Sequence, residues 1–166
     1  MSIDYLVASL PPLAFDAPPP LTAAEFAARA GDAAKLPSAW HDLEAQMRNA
    51  IAEERARLNA ARGANETDAV KWKRPVAGCS LYWTNRARAA CAEKDPLKRD
   101  AAIDRVFWDA AGELTPTSSP LSRGALQTYA IRLSIALRRA NRSAEAGNKV
   151  LDKLLSSRQD SDSSTL

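Results

Sequence analysis

PSAWHDLEAQMRNAIAEERARLNAAR, residues 37–62, decides the fold class. With Leu36 just ahead of it, Trp40, Leu43, Met47, Ile51, Leu58 and Ala61 recur at the three-and-four spacing of a long helix with one buried stripe. Ser38 is placed to cap that helix. Glu54 falls inside the stripe, where a carboxylate invites a functional reading. Arg55 and Arg57 stand close enough to pair with it, and a stripe-edge ion pair is the simpler account. Arg48, Arg55 and Arg62, each seven residues from the next, line one flank. That flank suits an acidic partner or an ordinary solvated edge.

Downstream, Gly63, Asn65, Pro75 and Gly78 punctuate an internal loop over residues 63–78 that carries the basic-aromatic cluster Lys71, Trp72, Lys73 and Arg74. A helix is expected from about Gly78 to Glu93, burying Leu81 or Tyr82 with Ala89. Asp95-Pro96 is the clearest local signal in the chain. An aspartate cap followed by proline at the first helical position starts a helix that should run to about Leu114. Its main stripe is Ile103, Val106, Phe107, Ala110 and Leu114. Trp108 lies on another face with Leu97, Ala101 and Asp104, where it either packs internally or waits as a partner's anchor. Thr115–Pro120 reads as a loop, and Ser122 caps a last long helix with Leu126, Tyr129, Ala130, Leu133, Leu137 and Ala140 toward the core. Arg132, Arg138, Arg139 and Arg142 take the other side, with Ile131 and Ile135 among them, and no acidic residue occurs between Glu113 and Glu145. Such a mixed face suits a protein interface; the rival is a sandwiched helix with arginines snorkelling at its margins.

Upstream, Tyr5, Leu6, Val7 and Ala8 form an apolar run too short to assign to strand or helix. Pro11, Pro12, Pro18, Pro19 and Pro20 bias residues 9–21 toward a polyproline-like strap, pinned by Leu10, Leu13, Phe15 and Leu21. Thr22 with Glu25 forms a capping box, and Leu21 is placed to staple onto Phe26.

The chain's 166 residues suit one helical domain with room for a core, and 46% hydrophobic content with many alanines agrees. A net charge of +3 is too mild to demand nucleic acid or membrane. The expected domain covers residues 1–155, with a disordered serine- and aspartate-rich tail over 156–166. No targeting leader or membrane-length apolar run is read, and a cytoplasmic protein is expected. Cys79 and Cys91, if on one helix, lie about 18 Å apart, beyond disulfide reach. His41 is the only histidine and sits on the exposed side of the long helix. No glycine-rich phosphate loop, activated nucleophile or metal-ligand pair is recognisable, so no catalytic residue, cofactor or metal is expected.

Four blocks carry a family resemblance. Tyr5-Leu6-Val7-Ala8-Ser9-Leu10-Pro11, Pro18-Pro19-Pro20-Leu21-Thr22 and Glu25-Phe26 form the first; Trp40, Leu43 and Met47-Arg48-Asn49-Ala50 through Arg62 form the second. Asp95-Pro96-Leu97, Asp104-Arg105, Trp108-Asp109 and Glu113-Leu114 form the third; Leu126, Tyr129-Ala130, Arg132-Leu133 and Arg138 form the fourth, with a terminal helix around Glu145, Val150, Leu151 and Leu154. In this order they resemble a bacterial family of undetermined role, encoded beside the components of V/A-type ATPases and distantly similar to the rotor-socket protein of those enzymes. Thr115–Pro120 departs from that family's pattern. The resemblance implies a noncatalytic adaptor or assembly subunit of a V/A-type ATPase, on its rotor or membrane-ring side, peripheral to the inner membrane.

The expectation is therefore an all-α bundle of about five helices with a proline-rich N-terminal strap. Partner binding is assigned to Arg48, Arg55, Arg62, Arg105, Trp108, Ile131, Arg132, Ile135, Arg138, Arg139 and Arg142, as cationic ridges around apolar contacts for acidic helices. The alternative is a small basic nucleic-acid-binding protein using Lys71–Arg74 and the final helix.

Overall fold

The computed structural model describes residues 2–61, 63 and 80–142. They form an all-α fold of six α-helices and two 3₁₀ turns, with no strand among the described residues. The helices are α1 (Ile3–Ser9), α2 (Ala23–Ala30), α3 (Ser38–Ala61), α4 (Leu81–Cys91), α5 (Pro96–Ala111) and α6 (Arg123–Ala140).

Local chemistry sets most boundaries. Ser2 caps α1, which resolves the Tyr5–Ala8 run as helix. Thr22 and Glu25 make the reciprocal capping box at α2, with the Thr22 amide donating to Glu25 Oε2 at 2.8 Å. Asp95 Oδ1 accepts from the amides of Leu97 and Lys98, and Ser122 Oγ accepts from that of Ala125. Ser38 is instead the first residue of α3, whose opening turn is closed by the Trp40 and His41 amides donating to the Pro37 carbonyl. Residues 10–22 hold no helix or strand, turning once where the Ala17 amide donates to the Ala14 carbonyl.

Two apolar clusters meet at α6. The larger joins Trp40, Met47 and Ile51 of α3, Trp83, Ala87 and Cys91 of α4, Val106, Phe107 and Trp108 of α5, and Ile131 and Ile135 of α6. The smaller joins Leu6, Leu21, Phe26 and Ala30 of the N-terminal arm to Leu126 and Leu133 of α6. Leu13 borders both clusters, Phe15 the larger and Leu10 the smaller, while Leu21 and Phe26 share the smaller one as the staple requires. Each fully buried large side chain contributes about 1.5–3 kcal/mol of transfer free energy, so both faces of α6 supply substantial stabilisation.

The sandwiched arrangement decides the α6 alternatives. Ile131 and Ile135 are core residues, which corrects their assignment as contacts for a partner. Trp108 is likewise buried and packs internally. In α4 the expected register is also corrected: Leu81 and Tyr82 are 67% and 61% exposed, Ala89 is exposed, and Trp83, Thr84, Ala87 and Cys91 face inward. Residues 64–79, including Lys71–Arg74 and Cys79, lie outside the described residues, as do Arg62 and the expected terminal helix and tail over 143–166. Among the described residues no helix is long and apolar enough to cross a membrane.

Candidate functional site: an aromatic-guanidinium surface

The arginines assigned from sequence divide into three environments. Arg138 and Arg142 both donate to Asp104, a carboxylate on α5 that is only 2% exposed; Arg142 Nη1 reaches its Oδ2 at 3.1 Å and Asp100 at 3.6 Å. A carboxylate this deep is tolerable because two cations satisfy it. These guanidinium groups therefore serve an intramolecular pair, which corrects their reading as a ridge held open for a partner.

A second group gathers around Phe15 of the proline-rich segment. Arg139 stacks on its ring with Cζ at 3.8 Å from the centroid, and Arg105 lies at 5.0 Å. The ring meets Trp108 edge-on at 5.4 Å, and Arg132 stacks on Trp108 at 5.2 Å while its Nε donates to the Trp108 carbonyl at 3.0 Å. Burial holds the Arg132 guanidinium below its ordinary pKa, with Asp109 opposing that shift. Such cation-π contacts are worth about 0.5–2 kcal/mol each, according to desolvation. Arg105, Trp108, Arg132 and Arg139 are thus brought together, chiefly to fasten the N-terminal arm.

The α3 flank is the third. Arg48 is half-buried, pairs with Glu44 at 2.6 Å and lies 5.3 Å from the Phe107 centroid. Arg55 is exposed. Glu54 is buried in the stripe and pairs with Arg57 at 2.5 Å, which holds its carboxyl below the usual range. An ion pair at the edge of the stripe is the account of Glu54 that the geometry supports.

What faces outward is the surface that the sequence pattern hid. Leu81 and Tyr82 open α4 in contact with solvent, and Tyr82 meets Trp83 edge-to-face at 4.8 Å. Arg86 braces both rings, with Cζ at 5.7 Å from the Tyr82 centroid and 5.2 Å from that of Trp83. Its Nη2 donates to Asp109 at 3.2 Å, and Asp109 also accepts from Arg105 Nε at 3.1 Å. Trp83 is fixed from beneath by Nε1 donating to Glu113 Oε1 at 2.5 Å. The Tyr82 ring is therefore presented on a pre-ordered support, which lowers the entropy lost when a partner covers it. The exposed Tyr82 with the half-buried Arg86 beside it supplies residue types enriched at interface hot spots, and Leu81 adds apolar area.

Among the described residues no group of three or more His, Cys, Asp and Glu side chains is arranged to hold a metal. His41 is exposed, and Cys91 is buried with its thiol toward the Ile51 carbonyl at 3.7 Å. No family model, curated protein or solved structure matches the chain.

Proposed function

We propose that this chain is a noncatalytic helical adaptor or assembly subunit that binds another protein through the Leu81–Tyr82–Arg86 surface of α4. The observation that carries this reading is the exposure of Leu81 and Tyr82 on a turn held rigid from below by Arg86 and Trp83. Large apolar side chains exposed side by side on an ordered support favour a covering partner. The partner class, a bacterial V/A-type ATPase on its rotor or membrane-ring side, rests on the resemblance of the four sequence blocks. The role is that of a rotor-socket-like protein.

The test is copurification of the intact tagged chain with ATPase subunits from native membrane extract. Leu81→Ala with Tyr82→Ala should weaken capture at least tenfold, the scale of one lost anchor, while costing no more stability than about 1.5 kcal/mol, the scale of the Tyr82–Trp83 ring contact. Equal capture by the double variant overturns the surface assignment. Absence of ATPase subunits from the wild-type eluate overturns the partner.

A further inference from the structure

A second surface on this chain, apart from the α4 turn, bears on the same adaptor reading and rests on it. Between the proline-rich segment and the end of α6 lies a cavity of about 280 Å³, lined by Phe15, Asp16, Ala17, Pro18, Pro19, Ala136, Arg139 and Ala140. Small-molecule and cofactor sites begin near 300 Å³, so this space suits one or two side chains better than a free cofactor. Its walls are apolar except for Arg139 and Asp16.

Arg139 is poorly satisfied. Its Nη2 donates to Asp16 Oδ1 at 3.3 Å, a long contact to a carboxylate that is itself 81% exposed. Its Nη1 is buried with no acceptor. Stacking on Phe15 fixes the plane of the fork. A guanidinium held in one plane, with its reachable Nη2 engaged only by a long contact, suits a carboxylate that approaches that arm more closely. Asp16 competes feebly, because a single long contact to a solvated carboxylate contributes little.

We propose that this cleft binds a short acidic-apolar segment of a partner protein: an aliphatic side chain enters the Phe15–Pro18–Ala136–Ala140 cavity and an adjacent carboxylate displaces Asp16 from Arg139 Nη2. Arg139, the cation of this lining, supplies the charge complementarity such a segment requires. Asp16 is the internal stand-in for the partner's carboxylate.

The experiment titrates the intact, isotopically labelled protein with acetyl-Glu-Leu-Glu-Leu-amide and, in parallel, acetyl-Gln-Leu-Gln-Leu-amide, following the amides of Ala17, Ala136 and Ala140. The acidic peptide should shift these resonances with an affinity in roughly the millimolar range, and the neutral one should bind at least tenfold more weakly. Arg139→Gln should abolish the difference between the peptides. Asp16→Asn should strengthen acidic-peptide binding severalfold, a change of opposite sign that damaged folding does not produce. Ala140→Leu, at an exposed position, should block entry. Equal binding of both peptides, no effect of Asp16→Asn, or no shifts at several millimolar overturns the proposal. Because the readout lies on the proline-rich segment and α6, its failure leaves the α4 surface untouched; loss of ATPase capture by the Leu81 and Tyr82 variant is a separate result.

Discussion

Replacing Asp104 by asparagine should cost about 2 kcal/mol of folding stability, a figure built from its two guanidinium contacts. Asparagine keeps one acceptor oxygen, so one guanidinium contact persists while the other meets an amide N–H donor and is lost; a hydrogen bond to a charged group contributes about 1.5–3 kcal/mol. Asparagine fills nearly the same volume, so no cavity is added. The arginine side chains are 41% and 44% exposed and turn to water when released, which keeps the loss below the 3–5 kcal/mol typical of an orphaned buried charge. For a chain of this length, about 2 kcal/mol corresponds to a melting temperature lower by roughly 4–8 °C. Urea denaturation followed by far-ultraviolet circular dichroism gives the free energy directly, and a cycle with Arg138→Gln should show a coupling of about 1 kcal/mol. Wild-type stability for Asp104→Asn, with no coupling to Arg138, would refute the reasoning.

Three further perturbations follow from the same packing. The Glu54 carboxyl is held below its ordinary value of 4.5 by Arg57, so its stabilisation is complete above that pH and disappears as pH falls through the folded-state value. Urea midpoints of wild type and Glu54→Gln should therefore differ at neutral pH and converge on acidification below 4.5. Tyr129 stacks on Phe26 at 5.5 Å but buries its hydroxyl without a partner, so Tyr129→Phe should raise stability by about 1 kcal/mol, read as a higher melting temperature. At Gly124 an added Cβ would sit 1.9 Å from the Leu114 carbonyl oxygen. Gly124→Ala should thus lose about 1–3 kcal/mol in urea titration, outweighing the roughly 0.5–1 kcal/mol that alanine gains in a helix.

Helix boundaries were legible where a single side chain and its neighbouring amides set them. Thr22 with Glu25, Asp95 with Pro96, and Ser122 act within three residues, and each is where the sequence places it. The stripe of α3 was equally plain from Trp40 to Ile51, where one apolar face meets one core, but Ala61, expected to continue it, is exposed. The facing of α4 was not. Leu81, Tyr82 and Trp83 are consecutive, cover more than half the helix circumference, and leave periodicity nothing to choose between. A residue thirty positions away, Glu113, offers the acceptor that makes Trp83 the inward ring. In α6 the arginines near Ile131 and Ile135 suggested an outer surface, yet the carboxylates that neutralise Arg138 and Arg142, Asp100 and Asp104, come from α5, distant in sequence. Charge beside an apolar residue reports solvent only when no remote partner exists, and a linear pattern does not reveal remote partners.

The walling-in of α6 limits how this protein can drift in evolution. Turning the helix by one residue step, about 100°, would pull Ile131 and Ile135 from one cluster and Leu126 and Leu133 from the other at once. Accepted changes along it must accordingly arrive as matched exchanges with α5 or with the N-terminal arm. Ser134 is one of its few outward positions, and it is the place to attach a dye or an affinity handle without disturbing either wall.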